Sequence, residues 1–232
     1  MKREQYEWVI RMQKGDFVRI DYVGKVKDTN EIFDLTNEET AKKENVFIKG
    51  RKYKPIPIIV GEGFVLKGLD EQIMKMNVGE RKTVTISPEN GFGERKAELV
   101  KVLPMSFFKR QKVTPAPGLV INVSGMRGRI QSVNSGRVRI DFNNPLAGKT
   151  LEYDIEIKEK IDDPKNKIES LFEFFGVDIK AEIKDGVAEI ESEKSKMTPE
   201  LKEKTFSLIT KYLKIERVRF IEVFDKTKTQ NK

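Results

Sequence analysis

The chain has 232 residues, with 45 Lys or Arg against 37 Asp or Glu, a net charge of +8, and neither cysteine nor histidine. That composition excludes disulfides, thiolate and imidazole catalysis, and almost every transition-metal site. Carboxylates, hydroxyls, aromatic rings and shape must carry any chemistry, so neither a metal nor a cofactor is expected.

The length suffices for two or three small domains, each with its own core. The N-terminus, from Met1 to Trp8, has no apolar signal region, and no apolar run approaches the ~20 residues of a membrane span. A soluble, cytoplasmic protein without membrane contact is expected.

Residues 1–13 read as a polar-apolar lead-in of one or two helical turns. From Asp16 the chain alternates, with Phe17, Arg19 and Asp21 against Val18, Ile20 and Tyr22, which predicts a strand running into Val23-Gly24 and then Ile32-Phe33-Asp34. Residues 36–54 form a long, Lys-rich excursion. Ile56 to Val60 is a second apolar run, followed by Gly61-Glu62-Gly63-Phe64-Val65-Leu66. Its glycines do not make a dinucleotide fingerprint, because Gly68 lies two places too far on. Gly68 to Met76 reads as a short helix closed by Gly79, and Arg81 to Ile86 as another strand, leading to Ser87-Pro88-Glu89-Asn90-Gly91-Phe92-Gly93.

After Gly93 the character changes to short strands punctuated by Pro and Gly, with a hairpin turn at Asn134-Ser135-Gly136. Thr150 to Ile157 alternates cleanly, with Leu151, Tyr153, Ile155 and Ile157 inward. Asp163-Pro164 then caps an amphipathic helix to Phe175, stopped by Gly176. Strands over 177–183 and 187–191 flank a turn at Asp185-Gly186, a helix runs from Pro199 to about Leu213, and a strand spans Val218 to Phe224. The tail from Lys226 is polar.

Three of these stretches, Val18 to Gly24 with Ile32-Phe33-Asp34, Val60 to Asp70, and Val84 to Gly93, together and in this order resemble the FKBP family of peptidyl-prolyl cis/trans isomerases. The resemblance implies an α+β fold: an antiparallel sheet wrapped on a short helix, over 14–93 plus 145–160. It also implies a pocket. Tyr22 matches the pocket tyrosine, and Phe33 and Asp34 a wall and an acidic hydrogen-bond acceptor. Val65 and Leu66 match positions that contact the ligand backbone. Leu69 stands where many members have a tryptophan floor, Phe92 where most have a tyrosine, and Tyr153 where a phenylalanine is usual. The floor is therefore shallower, one hydroxyl donor is missing, and Tyr153 adds a hydroxyl whose role the sequence leaves open.

The implied reaction suits this composition. Rotation about X–Pro faces a barrier of about 20 kcal/mol because the twisted amide loses its resonance. Lowering it requires no nucleophile, and a reduction of roughly 7 kcal/mol gives about five orders of magnitude in rate.

The segment 94–144 resembles the mostly-β insert in the flap of SlyD-type isomerases, which implies a module that holds unfolded or nascent polypeptide. Leu146 and Ala147, at its junction, would then line the pocket. Residues 94–149 hold eleven Lys or Arg against three acids, an excess equal to the whole chain's +8. A nucleic-acid or ribosome surface is one reading of that charge; a solvated surface around a client-binding face is the favoured one. A holdase with little isomerase activity is a further alternative.

Residues 161–226 carry an αββαβ pattern and no catalytic motif, with 227–232 as tail. The helix faces Ile168, Leu171, Phe172, Phe175 and Leu201, Phe206, Ile209, Tyr212 exceed what three short strands cover. Either a closed core or a homodimer through this segment follows; the arrangement resembles the long-chain archaeal members of the family.

Overall fold

The computed structural model describes residues 11–193 and 197–223, so most of the expected lead-in and all of the polar tail lie outside the described residues. In chain order the elements begin β1 (Phe17–Val26), β2 (Ile32–Leu35), α1 (Glu38–Lys43), β3 (Ile56–Ile59), α2 (Lys67–Ile73) and β4 (Arg81–Ile86). The next group is β5 (Val100–Pro104), α3 (Met105–Arg110), β6 (Val120–Val123), β7 (Met126–Asn134) and β8 (Arg137–Asp141). Then come β9 (Leu151–Ile161), α4 (Pro164–Phe174), β10 (Ile179–Lys184), β11 (Val187–Glu193), α5 (Pro199–Leu213) and β12 (Arg217–Val223). The fold is mixed α+β, with three sheets and few helices.

The first sheet is antiparallel, in the order β2-β1-β9-β4, with β3 pairing the opening half of β1. Burial alternates along β9, so Leu151, Tyr153, Ile155 and Ile157 enter the core as their period of two dictates. Leu69, Ile73 and Met76 from α2 and its exit meet them there. The helix is shorter than its apolar pattern suggests: it stops at Ile73, with Met74 as its cap. Gly79 instead shapes the turn into β4 at φ +80°, its N–H donating to the Ile157 carbonyl at 2.7 Å. The Lys-rich excursion holds an unforeseen helix, α1, capped by Asn37, whose side chain accepts from the Thr40 N–H.

The second sheet, β5-β8-β7-β6, lies entirely in the insert and has its own small core of Phe108, Ile130, Val138 and Ile140. Its hairpins turn on Ser124-Gly125 and Ser135-Gly136, both residues of each pair at positive φ. That is the geometry whose twist matches antiparallel strands. Helix α3 packs Phe108 beneath this sheet; six residues are too few to show a period in the sequence.

The third sheet orders β10-β11-β12, with β11 antiparallel to β10 and parallel to β12. Asp163 and Thr198 cap α4 and α5 through their side chains, each with Pro at the first helical position. The apolar face of α4 is covered from both sides. Its core includes Ala181, Ala188 and Ile190 from the third sheet, and also Phe17 and Ile59 from the first. In α5 the buried residues are Thr205, Leu208 and Ile209, so Phe206 points away and stays 42% exposed, contrary to the expected face. No helix among the described residues is long and apolar enough to cross a membrane.

Candidate active site

A glycine sets the geometry of the site. Gly24 in β1 lies between Asp34 on β2 and Tyr153 on β9. A Cβ on it would fall 2.8 Å from the Phe33 ring and 2.9 Å from the Tyr153 ring. Its bare backbone lets those rings meet edge to face, with centroids 5.7 Å apart. Phe33 also meets Phe92 edge to face at 6.2 Å, and Tyr22 leans on Tyr153 at 5.7 Å. Four aromatic residues from three strands and one loop thus form a cluster, a spacing at which such pairs attract beyond their buried area.

Tyr22 is anchored by Thr36: its N–H donates to Thr36 Oγ1 at 2.8 Å, and the Thr36 N–H donates back to its carbonyl at 3.0 Å. Its hydroxyl donates to Asp34 Oδ2 at 2.6 Å. The other carboxylate oxygen accepts from the Leu35 N–H at 2.9 Å and from the Arg51 guanidinium. Arg51 is fixed in turn by the Leu35 carbonyl at 2.7 Å and by the face of Tyr53. Asp34 is therefore held in place as an acceptor. Burial, with the Asp34 hydrogen bond, pushes the Tyr22 hydroxyl well above the usual phenol range. Burial also raises Tyr153, reinforced by the Asp34 charge.

Tyr153 differs from Tyr22 in one respect. Its side chain is buried, yet its hydroxyl makes no hydrogen bond to a described residue and keeps some exposure. Leu69 is buried in the same cluster, and Val65, Leu66, Phe92 and Leu146 pack half-buried against it. Ala147 is half-buried but is not among the residues packed on that cluster.

The turn carrying Val65 and Leu66 is held from both ends. Asp70 in α2 accepts from the Gly61 N–H at 2.8 Å and the Gly63 N–H at 3.4 Å. Phe64 bridges two cores, its ring 4.6 Å from Phe174 and 6.1 Å from Phe175 at the end of α4. Glu62 accepts from the Tyr212 hydroxyl at 2.5 Å and from Lys211 at 2.9 Å, and these bonds hold its carboxyl below the usual range. The Tyr212 ring lies over Gly15, at φ +93°, where a Cβ would meet it at 2.4 Å.

Sequence reasoning missed Gly24, Arg51, Asp70 and this link to the C-terminal helices. Chemically, the arrangement offers a desolvated aromatic box with one fixed carboxylate and one unpartnered hydroxyl, suited to reshaping a neutral group.

The family model described as FKBP26, IF domain, matches residues 101–146. A short-type peptidyl-prolyl cis-trans isomerase of Methanocaldococcus jannaschii is 38% identical over 148 residues, covering 64% of this chain and 93% of that protein. A probable FKBP-type 16 kDa peptidyl-prolyl cis-trans isomerase of Pseudomonas fluorescens is 33% identical over 106 residues, 44% of this chain and 71% of its own. The FKBP-type isomerase SlyD of Aeromonas hydrophila is 31% identical over 108 residues, 46% of this chain and 51% of its own.

Proposed function

Since this chain belongs to the FKBP-type peptidyl-prolyl cis-trans isomerases, we propose that its working pocket is the box of Tyr22, Phe33, Phe92 and Tyr153 beside Leu69. Its substrates are X-Pro bonds in unfolded or nascent polypeptides, which residues 94–144 hold close by. The observation that carries the pocket assignment is the Tyr22–Asp34 hydrogen bond inside an aromatic cluster that also includes Val65, Leu66 and Leu146.

The mechanism needs no proton transfer. A proline ring entering the box sheds water against Phe33 and Phe92, above the buried Leu69. The planar amide loses hydration there, and the twisted amide, whose carbonyl is less polar, loses less. Phe92 has no hydroxyl to offer the substrate carbonyl, and the free Tyr153 hydroxyl supplies a donor. Asp34, held by Tyr22 and Arg51, fixes the wall against which the substrate backbone lies.

The kinetic test measures kcat/KM for an X-Pro tetrapeptide against pH, for the native chain and Tyr153→Phe. Both phenols are raised, so both stay neutral above the ordinary phenol pKa of about 10. The native profile should be flat from about pH 6 to pH 10. Tyr153→Phe should lower it about tenfold, the effect of one lost transition-state hydrogen bond worth roughly 1.4 kcal/mol. An unchanged Tyr153→Phe would remove the hydroxyl from the mechanism, and a fall in native activity near pH 10 would contradict the raised phenols.

The proposal includes a homodimer through residues 161–226 in a cytoplasmic setting. Ile183, Phe206, Ile221 and Val223 are each at least 36% exposed in this part of the chain, and β12 pairs on one side alone among the described residues. Light scattering at micromolar concentration should give twice the monomer mass; a monomer would remove the dimer.

A further inference from the structure

The outward face of the insert sheet carries an arrangement that the isomerase pocket does not use. Directly opposed residues of an antiparallel pair share a face. Arg137 and Arg139 on β8 oppose Pro104 and Val102 on β5 and Asn134 and Ser132 on β7. Arg129 and Arg127 on β7 oppose Val120 and Asn122 on β6. Arg129 also opposes Asp141, two residues along β8 from Arg139, so all four arginines lie on one side. The other side buries Ile130, Val138 and Ile140 against Phe108.

Five arginines outside this face are paired. Arg19, Arg51, Arg81, Arg95 and Arg219 each bind a carboxylate. On this face Arg127, Arg129, Arg137 and Arg139 are all exposed, and none forms an ion pair with a described carboxylate. The one acid opposing them, Asp141, is already taken by Arg95, with Gln131 and Asn143 as further donors. Four like charges on strands about 4.8 Å apart, with alternate residues roughly 6.6 Å apart, repel one another in the free protein. An anionic polymer laid across them would relieve that repulsion.

We propose that this face binds the phosphate backbone of nucleic acid. Guanidinium groups match phosphate oxygens in bidentate pairs, which single lysine charges do not. None of the residues that share this face is aromatic, so no platform exists on which bases could stack; binding is through phosphates and independent of sequence. Val102 and Val120 stand on opposite edge strands with the arginines between them. An apolar polypeptide crossing the face would bury guanidinium groups, whereas a phosphate chain would pair them. The face is separate from the Tyr22–Asp34 pocket and does not depend on its assignment.

The test titrates the full chain into a fluorescein-labelled 30-nucleotide RNA and, separately, a 30-base-pair DNA duplex of arbitrary sequence, at 50 and 200 mM KCl. Four phosphate contacts predict a loss of roughly 50- to 150-fold in affinity over that range. Arg129→Gln with Arg139→Gln should cut the loss to about tenfold, while Arg129→Lys with Arg139→Lys keeps the salt dependence. Both variants should keep the native far-UV circular dichroism and insert amide protection at Ile130 and Ile140, which shows that the insert sheet folds. Binding of either nucleic acid supports the proposal, and the tighter one identifies its source. No binding at 50 mM KCl, an unchanged salt dependence in the Gln variant, or equal competition by a poly-glutamate of matched charge would each overturn it.

Discussion

Replacing residues 94–144 by a short Gly-Ser linker is expected to lower catalysis of proline-limited refolding about a hundredfold, with tetrapeptide turnover changed less than about threefold. The geometry at the junction makes the experiment feasible. The Gly148 N–H donates to the Gly93 carbonyl at 2.8 Å, so the two ends of the insert already lie side by side. The insert core of Phe108, Ile130, Val138 and Ile140 is separate from the cluster that includes Leu69 and Tyr153. Leu146, which packs against the pocket cluster, lies outside the deleted span.

A tetrapeptide meets the pocket directly and gains nothing from a second binding surface. A long client held by the insert presents its prolines at a raised effective concentration, which multiplies the apparent rate without altering the chemical step. Equal losses on both substrates would sink the tethering idea and leave an isomerase whose insert serves another purpose.

The second large effect is expected from Tyr22→Ala combined with Asp34→Ala. Together they should lower tetrapeptide kcat/KM roughly a hundredfold, about 2.7 kcal/mol. Changing both residues removes the hydroxyl and its acceptor as a pair, so neither is left buried without a partner. The fold should survive. The bonds between the Tyr22 backbone and Thr36 involve neither the Tyr22 nor the Asp34 side chain, and Arg51 keeps its bond to the Leu35 carbonyl. What is lost is one wall of the box and the fixed carboxylate beside it.

Much of this architecture was legible because it rests on local periodicity and turn chemistry. The alternation of β9, the Asp163 and Thr198 caps and the Ser135-Gly136 and Asp185-Gly186 turns each follow from the residues themselves. Helix α1 was not read from the sequence: Asn37 caps it and Glu38, Glu39, Lys42 and Lys43 suit its ends, but six residues in a Lys-rich stretch give no apolar period to read.

In the site, the aromatic residues could be named from their ordered motifs, whereas the contacts that fix them could not. Arg51 reaches Asp34 across 17 positions, and Phe64 meets Phe174 across more than a hundred. Pairings of that kind leave no pattern in the intervening sequence. Phe206 is the opposite case: its residue type suggested burial, but the phase set by Thr205, Leu208 and Ile209 turns it outward.

The most direct test of the central claim is protease-free isomerisation of a short X-Pro peptide, followed for the native chain and for Tyr22→Ala with Asp34→Ala. Fast exchange by the native chain, lost in the double variant while its fold persists, is the predicted result. Equal rates for the two proteins would contradict the assignment of this pocket as the site of isomerisation.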